Sequence, residues 1–328
     1  MKKVIIGIHG LANKPEKGLL QRWWRDSMIE GFKLHGIEKE LPEFELVYWA
    51  DIIYDKPLDP FERDLKSRYY LDEPYTQSSV EEDDDSRSMR QKFNDFMTSQ
   101  LNRIFLNEDK TLNYTFITDM LINKYFNDLQ LYYTDGGETG ALMQNRVRER
   151  IRERVVETIR RFKGYDICIV AHSMGSIIAY DVLSYYLSDI RIKAFITIGS
   201  PLGLPIVTSK IIEEHRKRDL DSGTLRTPPG IEWGWFNLAD LKDPVAIDYK
   251  LSDNFTSNRR GVAPSDFLVY NNYQINGTKN PHKSFGYLRS GEFSGILSEF
   301  IDIKQVTFAE RLFRKIRGVL VKGRTNST

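Results

Sequence analysis

One short segment constrains the fold of this chain more than any other, because it joins a buried strand to a helix through a serine. Residues 166–171 form an apolar, β-branched run typical of a buried strand, and helical spacing begins at residue 177. Between them stands Ser173, with the small residues Ala171 and Gly175 two positions before it and two positions after it. A turn of this kind is strained, and only small side chains fit where the neighbouring backbone crowds it. The segment therefore predicts a serine hydroxyl at the carboxyl tip of a strand, where open α/β sheets bind their ligands.

Strands and helices alternate along most of the chain, which is the pattern of a parallel sheet with crossover helices. The strands are predicted at residues 4–8, 44–49, 166–171, 192–198, 230–238 and 267–275. The helices are predicted at residues 18–34, 141–162, 177–186 and 295–303. We therefore expect an α/β fold with a mostly parallel sheet of about six strands, flanked by helices. The helix at residues 141–162 is dense in Arg and Glu, and we expect its charged face to be exposed to solvent.

The domain organisation follows from the length and from a change of pattern in the middle of the chain. The 328 residues exceed the size at which a single core usually stops growing, roughly 250–300 residues. We assign residues 1–54 and 140–305 to one core, and we interpret the polar segment 55–139 as an inserted, mainly helical cap. Residues 306–328 are predicted to form a basic amphipathic helix and tail. This helix packs on its own domain in the simpler interpretation, and the alternative is weak contact with an anionic membrane surface.

Composition excludes several classes of protein. The chain has 47 Lys and Arg against 46 Asp and Glu, so its charge does not favour binding to the phosphate backbone of nucleic acids. The single cysteine, Cys168, cannot form an intrachain disulfide or a cysteine-rich zinc site. The apolar run at residues 4–8 is shorter than the roughly 7–15 residues of a signal sequence, and no stretch reaches the roughly 20 apolar residues of a membrane span. We expect a cytoplasmic protein without a metal or a cofactor.

The segment around Ser173 resembles the G-x-S-x-G nucleophile elbow of the α/β-hydrolase superfamily, with Ala171 in place of the first glycine. The strand before it and the helix after it make this match far more specific than the five residues alone. The resemblance covers roughly residues 3–50 and 140–305. It implies that Ser173 is the nucleophile of a catalytic triad whose members follow in the chain order Ser, acid, His.

A serine hydroxyl is a poor nucleophile without a base, and the chain has five histidines from which the base can be chosen. His172 is next to the nucleophile, but on the elbow its ring points away from the hydroxyl. His9 ends the first strand, His35 is near a helix end, and His215 lies in a charged segment that indicates an exposed helix face. His282 remains, and the resemblance places the base on the loop after the last strand, where His282 lies.

The acid that orients the base should lie between the nucleophile and the base, after the penultimate strand. Asp240 and Asp243 both follow that strand, and Asp248 comes soon after them. The sequence Asp-Pro-Val that begins at Asp243 resembles the acid turn of the superfamily, in which an Asp is followed shortly by a Val. Asp243 is therefore preferred, with Asp240 as the alternative and Asp248 as a third candidate.

The tetrahedral intermediate of such a reaction needs an oxyanion hole with two backbone N–H donors. The segment His9-Gly10-Leu11 after the first strand resembles the H-G-x element of the superfamily, which implies that Leu11 provides one donor. The other donor is expected from Met174, the residue after the nucleophile. His9, Gly10 and His172 are predicted to line the substrate pocket.

Together these residues predict a serine hydrolase that cleaves an ester, thioester or amide carbonyl of a small-molecule acyl substrate through an acyl-enzyme intermediate. The resemblance favours a carboxylesterase or lipase-like activity. Two alternatives remain open. The same triad could transfer the acyl group to an alcohol, or the chain could be a non-catalytic binding or effector module on a hydrolase scaffold.

Overall fold

The structure is a computed structural model, and it describes residues 2–78, 132, 141–218, 224–246 and 248–303. Its centre is a six-stranded sheet in which all neighbouring strands run parallel. The strands are β1 (Lys3–Ile8), β2 (Glu43–Val47), β3 (Asp166–His172), β4 (Ile192–Ile198), β5 (Ile231–Ala239) and β6 (Pro264–Leu268). Their order across the sheet is β2-β1-β3-β4-β5-β6. The predicted α/β fold with a parallel sheet is confirmed.

Helices cover both faces of this sheet. They are α1 (Lys17–Leu34), α2 (Ala141–Arg161), α3 (Met174–Tyr185), α4 (Pro205–Lys217), α5 (Ser284–Leu288) and α6 (Gly291–Asp302). Shorter elements are a 3-10 turn at Ala50–Ile52, a helical turn at Leu251–Asn254, and two pairs of two-residue strands, Leu225–Arg226 with Phe255–Thr256 and Gln274–Ile275 with Thr278–Lys279.

The side chains of β1 alternate between two hydrophobic layers, as the two-residue period of a strand requires. Val4, Ile6 and Ile8 belong to the layer that packs against α2, α3 and α4. Ile5 belongs to the layer that packs against α1, α5 and α6. Because both faces of the sheet are covered, its strands must be apolar on both sides, and this is why they appear in the sequence as continuous apolar runs.

The last strand of the sheet lies earlier in the chain than predicted. β6 ends at Leu268, so most of the predicted strand at residues 267–275 is a loop that leaves the sheet. The apolar residues of this loop have a different cause, since Val269 and Tyr273 are buried in the layer that packs against α1, α5 and α6. An apolar run shows that a segment is buried, but it does not show whether the segment is paired with a neighbouring strand.

The charged face of α2 is not fully exposed, contrary to the prediction. Arg148 and Arg152 are only 7% and 3% exposed. Arg152 Nη2 lies 2.6 Å from Asp181 Oδ2, and Arg148 Nη1 lies 3.1 Å from Glu214 Oε1. The hydroxyl of Tyr132 also donates to Asp181 Oδ2, at 2.5 Å. The acidic partners belong to α3 and α4, which only the tertiary fold brings against α2, and for this reason helical periodicity could not identify them.

Two predicted segments lie wholly or largely outside the described residues. Of the insertion predicted at residues 55–139, the described residues 55–78 form turns, bends and isolated bridges, and only Tyr132 is described beyond them. The basic helix predicted at residues 306–328 also lies outside the described residues. In the ranges that the structure describes, no helix combines the length and the apolar character needed to cross a membrane.

Candidate active site

The carboxyl ends of four neighbouring strands lie level at one edge of the sheet. In the register of the sheet, Ile8 is paired with Ala171, His172 with Ile198, and Ile198 with Leu238. The loops that follow β1, β3, β4 and β5 therefore meet at this edge. These loops contain most of the residues that the sequence analysis selected, and parallel α/β sheets bind ligands at this edge.

Ser173 occupies the turn between β3 and α3 at this edge. Its backbone φ is +53° and its ψ is −129°. Residues other than glycine rarely adopt this region, at a cost of roughly 1–3 kcal/mol, and such strain persists only where the surrounding structure imposes it. Here β3 is buried along its whole length, α3 begins at the next residue, and Ser173 itself is 2% exposed. The chain thus has the strained strand-to-helix turn that the sequence predicts at this serine.

Small residues allow the end of β1 to pack against this turn. A Cβ atom on Gly175 would lie 2.4 Å from the carbonyl oxygen of Ile8 and 2.7 Å from that of His9. A Cβ atom on Gly10 would lie 2.7 Å from the Cβ of Ser173. These distances are shorter than real Cβ contacts, so a side chain at either glycine would force the loop after β1 away from the serine. The close approach explains why small residues are needed here.

Three side chains from separate loops form one hydrogen-bonded chain. His282 Nε2 lies 3.1 Å from Ser173 Oγ, and His282 Nδ1 lies 2.9 and 3.0 Å from the two carboxylate oxygens of Asp243. Because an ionised carboxylate only accepts hydrogen bonds, Nδ1 carries the ring hydrogen and Nε2 is left to accept the hydroxyl hydrogen. The Asp243 side chain is 0% exposed. An imidazole between a serine hydroxyl and a buried carboxylate can remove the hydroxyl proton during attack on a carbonyl.

Of the three candidate acids, Asp243 is the one that the structure brings to His282. The Asp240 carboxylate instead accepts from two backbone N–H groups, those of Lys242 and Asn271, each at 2.7 Å. Burial raises the pKa of Asp240, and these two N–H groups oppose that shift. Asp248 lies further along the loop, where burial and then neighbouring carboxylates raise its pKa. Of the three carboxylates, Asp243 is therefore the one placed to orient His282, and its role as the acid stays a prediction.

Two further residues lie against Asp243, and the sequence assigned neither of them to this position. The buried Tyr287 donates its hydroxyl hydrogen to Asp243 Oδ2 at 2.7 Å and accepts from the backbone N–H of Asp240 at 2.9 Å. Burial raises the pKa of Tyr287 well above its usual value, so its hydroxyl keeps this hydrogen. Gly199, directly after β4, has a φ of +53°, and a Cβ there would lie 2.8 Å from Asp243 Oδ2 and 3.3 Å from His282 Nδ1. The strand-ending Gly-Ser-Pro sequence was a usable signal for Gly199, but no local pattern marks Tyr287.

Two backbone N–H groups next to Ser173 could form the predicted oxyanion hole. Within the described residues, the N–H groups of Leu11 and Met174 donate no hydrogen bond. Met174 begins α3, and the first N–H groups of a helix lack intrahelical acceptors and carry the positive end of the helix dipole. Leu11 follows Gly10, which packs against the serine, and the Lys14 ammonium donates to the Leu11 carbonyl oxygen. Both N–H groups are thus available to a negatively charged oxygen.

The residues predicted to line a substrate pocket also support the loops of the site. His9 is 1% exposed and stacks on Trp49, with ring centroids 4.6 Å apart. Its Nε2 accepts from the Trp49 backbone N–H at 3.0 Å, so Nδ1 carries the hydrogen and donates to the Gly10 carbonyl oxygen at 2.8 Å. Burial lowers the pKa of His9 to about 3, and the ring is neutral. The ring of His172 contacts the backbone of His282. Contact of His9, Gly10 and His172 with a substrate stays a prediction.

The other histidines and the cysteine, which are also potentially reactive, contact other parts of the fold. His35 Nε2 lies 3.2 Å from the carbonyl oxygen of Arg289. His215 is buried against Tyr185, with ring centroids 5.6 Å apart, so the prediction of an exposed position was wrong. Cys168 is buried inside β3, and burial raises its pKa. Among the described residues, no three or more His, Cys, Asp or Glu side chains are grouped to hold a metal ion.

Comparisons with known proteins do not assign the chain to a family. No protein-family model matches the chain, and no curated protein matches it. Two observations bear on function: the parallel α/β sheet, which is compatible with an α/β-hydrolase fold, and the geometry around Ser173 at the carboxyl edge of that sheet.

Proposed function

We propose that this protein is a serine hydrolase of the α/β-hydrolase type, which cleaves an ester, thioester or amide of a small-molecule acyl substrate through an acyl-enzyme intermediate. The observation that carries the proposal is the hydrogen-bonded chain from Ser173 Oγ through His282 to Asp243, with separations of 3.1 and 2.9 Å. The chain order Ser, Asp, His and the position of the serine after a central parallel strand support it. Carboxylesterase or lipase-like activity on ester bonds is the favoured form.

The first half of the reaction forms the acyl-enzyme. Ser173 Oγ attacks the carbonyl carbon of the substrate while its proton passes to Nε2 of His282, and Asp243 stabilises the resulting imidazolium. The N–H groups of Leu11 and Met174 donate to the tetrahedral oxyanion, and removal of one such donor typically costs roughly 3–4 kcal/mol of barrier. His282 then gives the proton to the leaving alcohol, thiol or amine, and the acyl group remains as an ester on Ser173.

The second half releases the acyl group. A water molecule attacks the carbonyl carbon of the acyl-enzyme while one of its protons passes to Nε2 of His282. When the second tetrahedral intermediate collapses, this proton returns to Ser173 Oγ, and the product leaves as a carboxylic acid. Throughout, the Asp243 carboxylate accepts hydrogen bonds from the Tyr287 hydroxyl at 2.7 Å and from the Val245 backbone N–H at 2.9 Å, and these two bonds hold it in place beside His282.

Covalent labelling with a fluorophosphonate tests the nucleophile. We expect the wild-type protein to be labelled and Ser173→Ala to abolish the labelling. Ser200→Ala is the matched control, because Ser200 is also a buried serine, two residues beyond the end of the central strand β4, and its Oγ is hydrogen-bonded to Ser176 Oγ at 2.7 Å. The control should be labelled like the wild type. Labelling that survives Ser173→Ala would place the nucleophile elsewhere.

A panel of p-nitrophenyl esters of increasing acyl chain length, with and without an added alcohol, tests the reaction class. Preference for short chains supports a carboxylesterase, and preference for long chains supports a lipase-like enzyme. Formation of a new ester at the expense of free acid would instead indicate acyl transfer. A folded protein that neither turns over any ester nor reacts with the fluorophosphonate would contradict the proposal and favour a binding module.

A further inference from the structure

The loop that carries His282 is held at three consecutive backbone carbonyls by side chains from two other parts of the fold. His172 Nε2 lies 2.7 Å from the carbonyl oxygen of His282. Asn271 Nδ2 donates to the carbonyl oxygens of Pro281 and Lys283, each at 2.8 Å. Asn271 is buried, and it belongs to the loop after β6. The backbone on both sides of the proposed base is therefore attached to that loop, and the base residue itself is attached to the turn that contains the nucleophile.

The hydrogen bond to the His282 carbonyl also shows which nitrogen of the His172 ring carries a hydrogen. A carbonyl oxygen only accepts, so Nε2 of His172 must carry a hydrogen. Burial lowers the pKa of His172 well below its usual value, and the repulsion that a charged His172 ring would meet from a protonated His282 lowers it further, so the His172 ring is neutral at about pH 7. A neutral ring has one hydrogen, which leaves Nδ1 without one. The two imidazole rings also pack together, with centroids 4.8 Å apart.

We propose that His172 is a positioning residue, which holds the base against the nucleophile through its Nε2–H hydrogen bond to the His282 carbonyl. The inference rests on the proposed function. His172 immediately precedes Ser173, so a single hydrogen bond joins the backbone turn of the nucleophile to the backbone of the base. The separation of 3.1 Å between Ser173 Oγ and His282 Nε2 depends on both backbones, and misplacement of a reacting group by about 1 Å can cost about 100-fold in rate.

Two substitutions that introduce side chains of similar length distinguish the effect of this hydrogen bond from the effect of packing. His172→Gln keeps an N–H donor near the position of Nε2, whereas His172→Met fills similar space without a donor. In His172→Met we expect kcat for a p-nitrophenyl ester to fall about tenfold, equivalent to about 1.4 kcal/mol of barrier. The rate of fluorophosphonate labelling should fall in parallel, and His172→Gln should restore most of both losses.

The split between kcat and KM distinguishes positioning from contact with the substrate. A positioning residue does not touch the substrate, so KM should change little in His172→Met. A rise in KM at unchanged kcat would overturn the proposal in favour of a binding role. Equal kcat values for His172→Met and the wild type would also overturn it, as would a His172→Gln variant that is as slow as His172→Met.

A measurement on the wild-type protein remains decisive if the variants do not fold. Nitrogen NMR of protein labelled with ¹⁵N-histidine should show His172 as the neutral tautomer with hydrogen on Nε2. A His172 ring with hydrogen on Nδ1 alone would overturn the proposal. Absence of labelling at Ser173 in the wild type would count against the proposed function, whereas normal labelling with equal rates in His172→Met counts against the role of His172 alone.

Discussion

Replacement of His9 by glutamine should make the stability of the protein less sensitive to acid. Burial lowers the pKa of His9 to about 3 in the folded protein. In the unfolded chain the ring has its ordinary pKa of about 6.5, so between these two values the unfolded state binds a proton that the folded state does not. The free energy of unfolding therefore has its full value above about pH 6.5 and falls as the pH is lowered towards about pH 3.

The size of this effect follows from the two pKa values. A single group with a pKa of about 6.5 unfolded and about 3 folded lowers the free energy of unfolding by about 2 kcal/mol between about pH 7.5 and about pH 5. In His9→Gln, the amide oxygen can still accept from the Trp49 backbone N–H, but the side chain binds no proton. The variant should be less stable than the wild type near neutral pH, because the stack on Trp49 is lost. This difference should shrink by about 2 kcal/mol at about pH 5.

Urea unfolding of the wild type and His9→Gln at both pH values measures the difference directly. The comparison cancels every other group that titrates in this range, including His172, because these groups are present in both proteins. His35→Gln is the matched control, since it replaces an exposed histidine and leaves the buried His9 in place, so the loss of stability attributed to His9 should persist in this variant. If the His9→Gln and wild-type stabilities changed equally between the two pH values, a neutral buried ring at His9 would be refuted.

Two further predictions concern Asp243, the proposed acid of the site. Asp243→Asn should lower kcat by about 10⁴-fold with little change in KM, because the imidazole loses the carboxylate that orients it. Asp240→Asn should instead lower the stability of the protein and change kcat only weakly. Ester hydrolysis and urea unfolding distinguish them, and a larger kcat loss in Asp240→Asn would reverse the assignment. Gly199→Ala should lower kcat by roughly 100-fold, because its Cβ would displace the carboxylate from His282. Gly36→Ala is its control, with a φ of +65° and open space around the added Cβ, and it should lose about 1–2 kcal/mol of stability but keep its activity.

Local sequence patterns were sufficient to predict much of the fold. β4 begins and ends at the predicted residues, and β3 differs from its prediction only at the last residue. Strands of a sheet covered on both faces must be apolar throughout, so each leaves a continuous run in the sequence. The turn at Ser173 was recognisable for a similar reason, because its small neighbours, its strand and its helix are all adjacent in sequence.

Contacts between residues that are distant in sequence could not be predicted from local patterns. The hydrogen bond between His172 and the His282 carbonyl joins residues 110 positions apart, and that between Tyr287 and Asp243 joins residues 44 positions apart. The end of β6 and the burial of Arg152 on α2 likewise depend on neighbours that are distant in sequence. Periodicity indicates which face of an element is apolar, but it cannot identify the partner of a polar side chain.

For this protein, the sequence by itself determined the parallel α/β sheet, the serine at a strained turn, and a short set of candidates for the base and the acid. Only the tertiary structure decided which candidates meet. Parallel strands whose carboxyl ends are level, β6 included, bring the loops that follow them to one edge, and there Ser173, His282 and Asp243 come within hydrogen-bonding distance. The physical reason is that a buried segment must be apolar, which can be recognised from adjacent residues alone. A hydrogen bond between side chains that are distant in sequence forms only when the folded sheet brings them to the required separation.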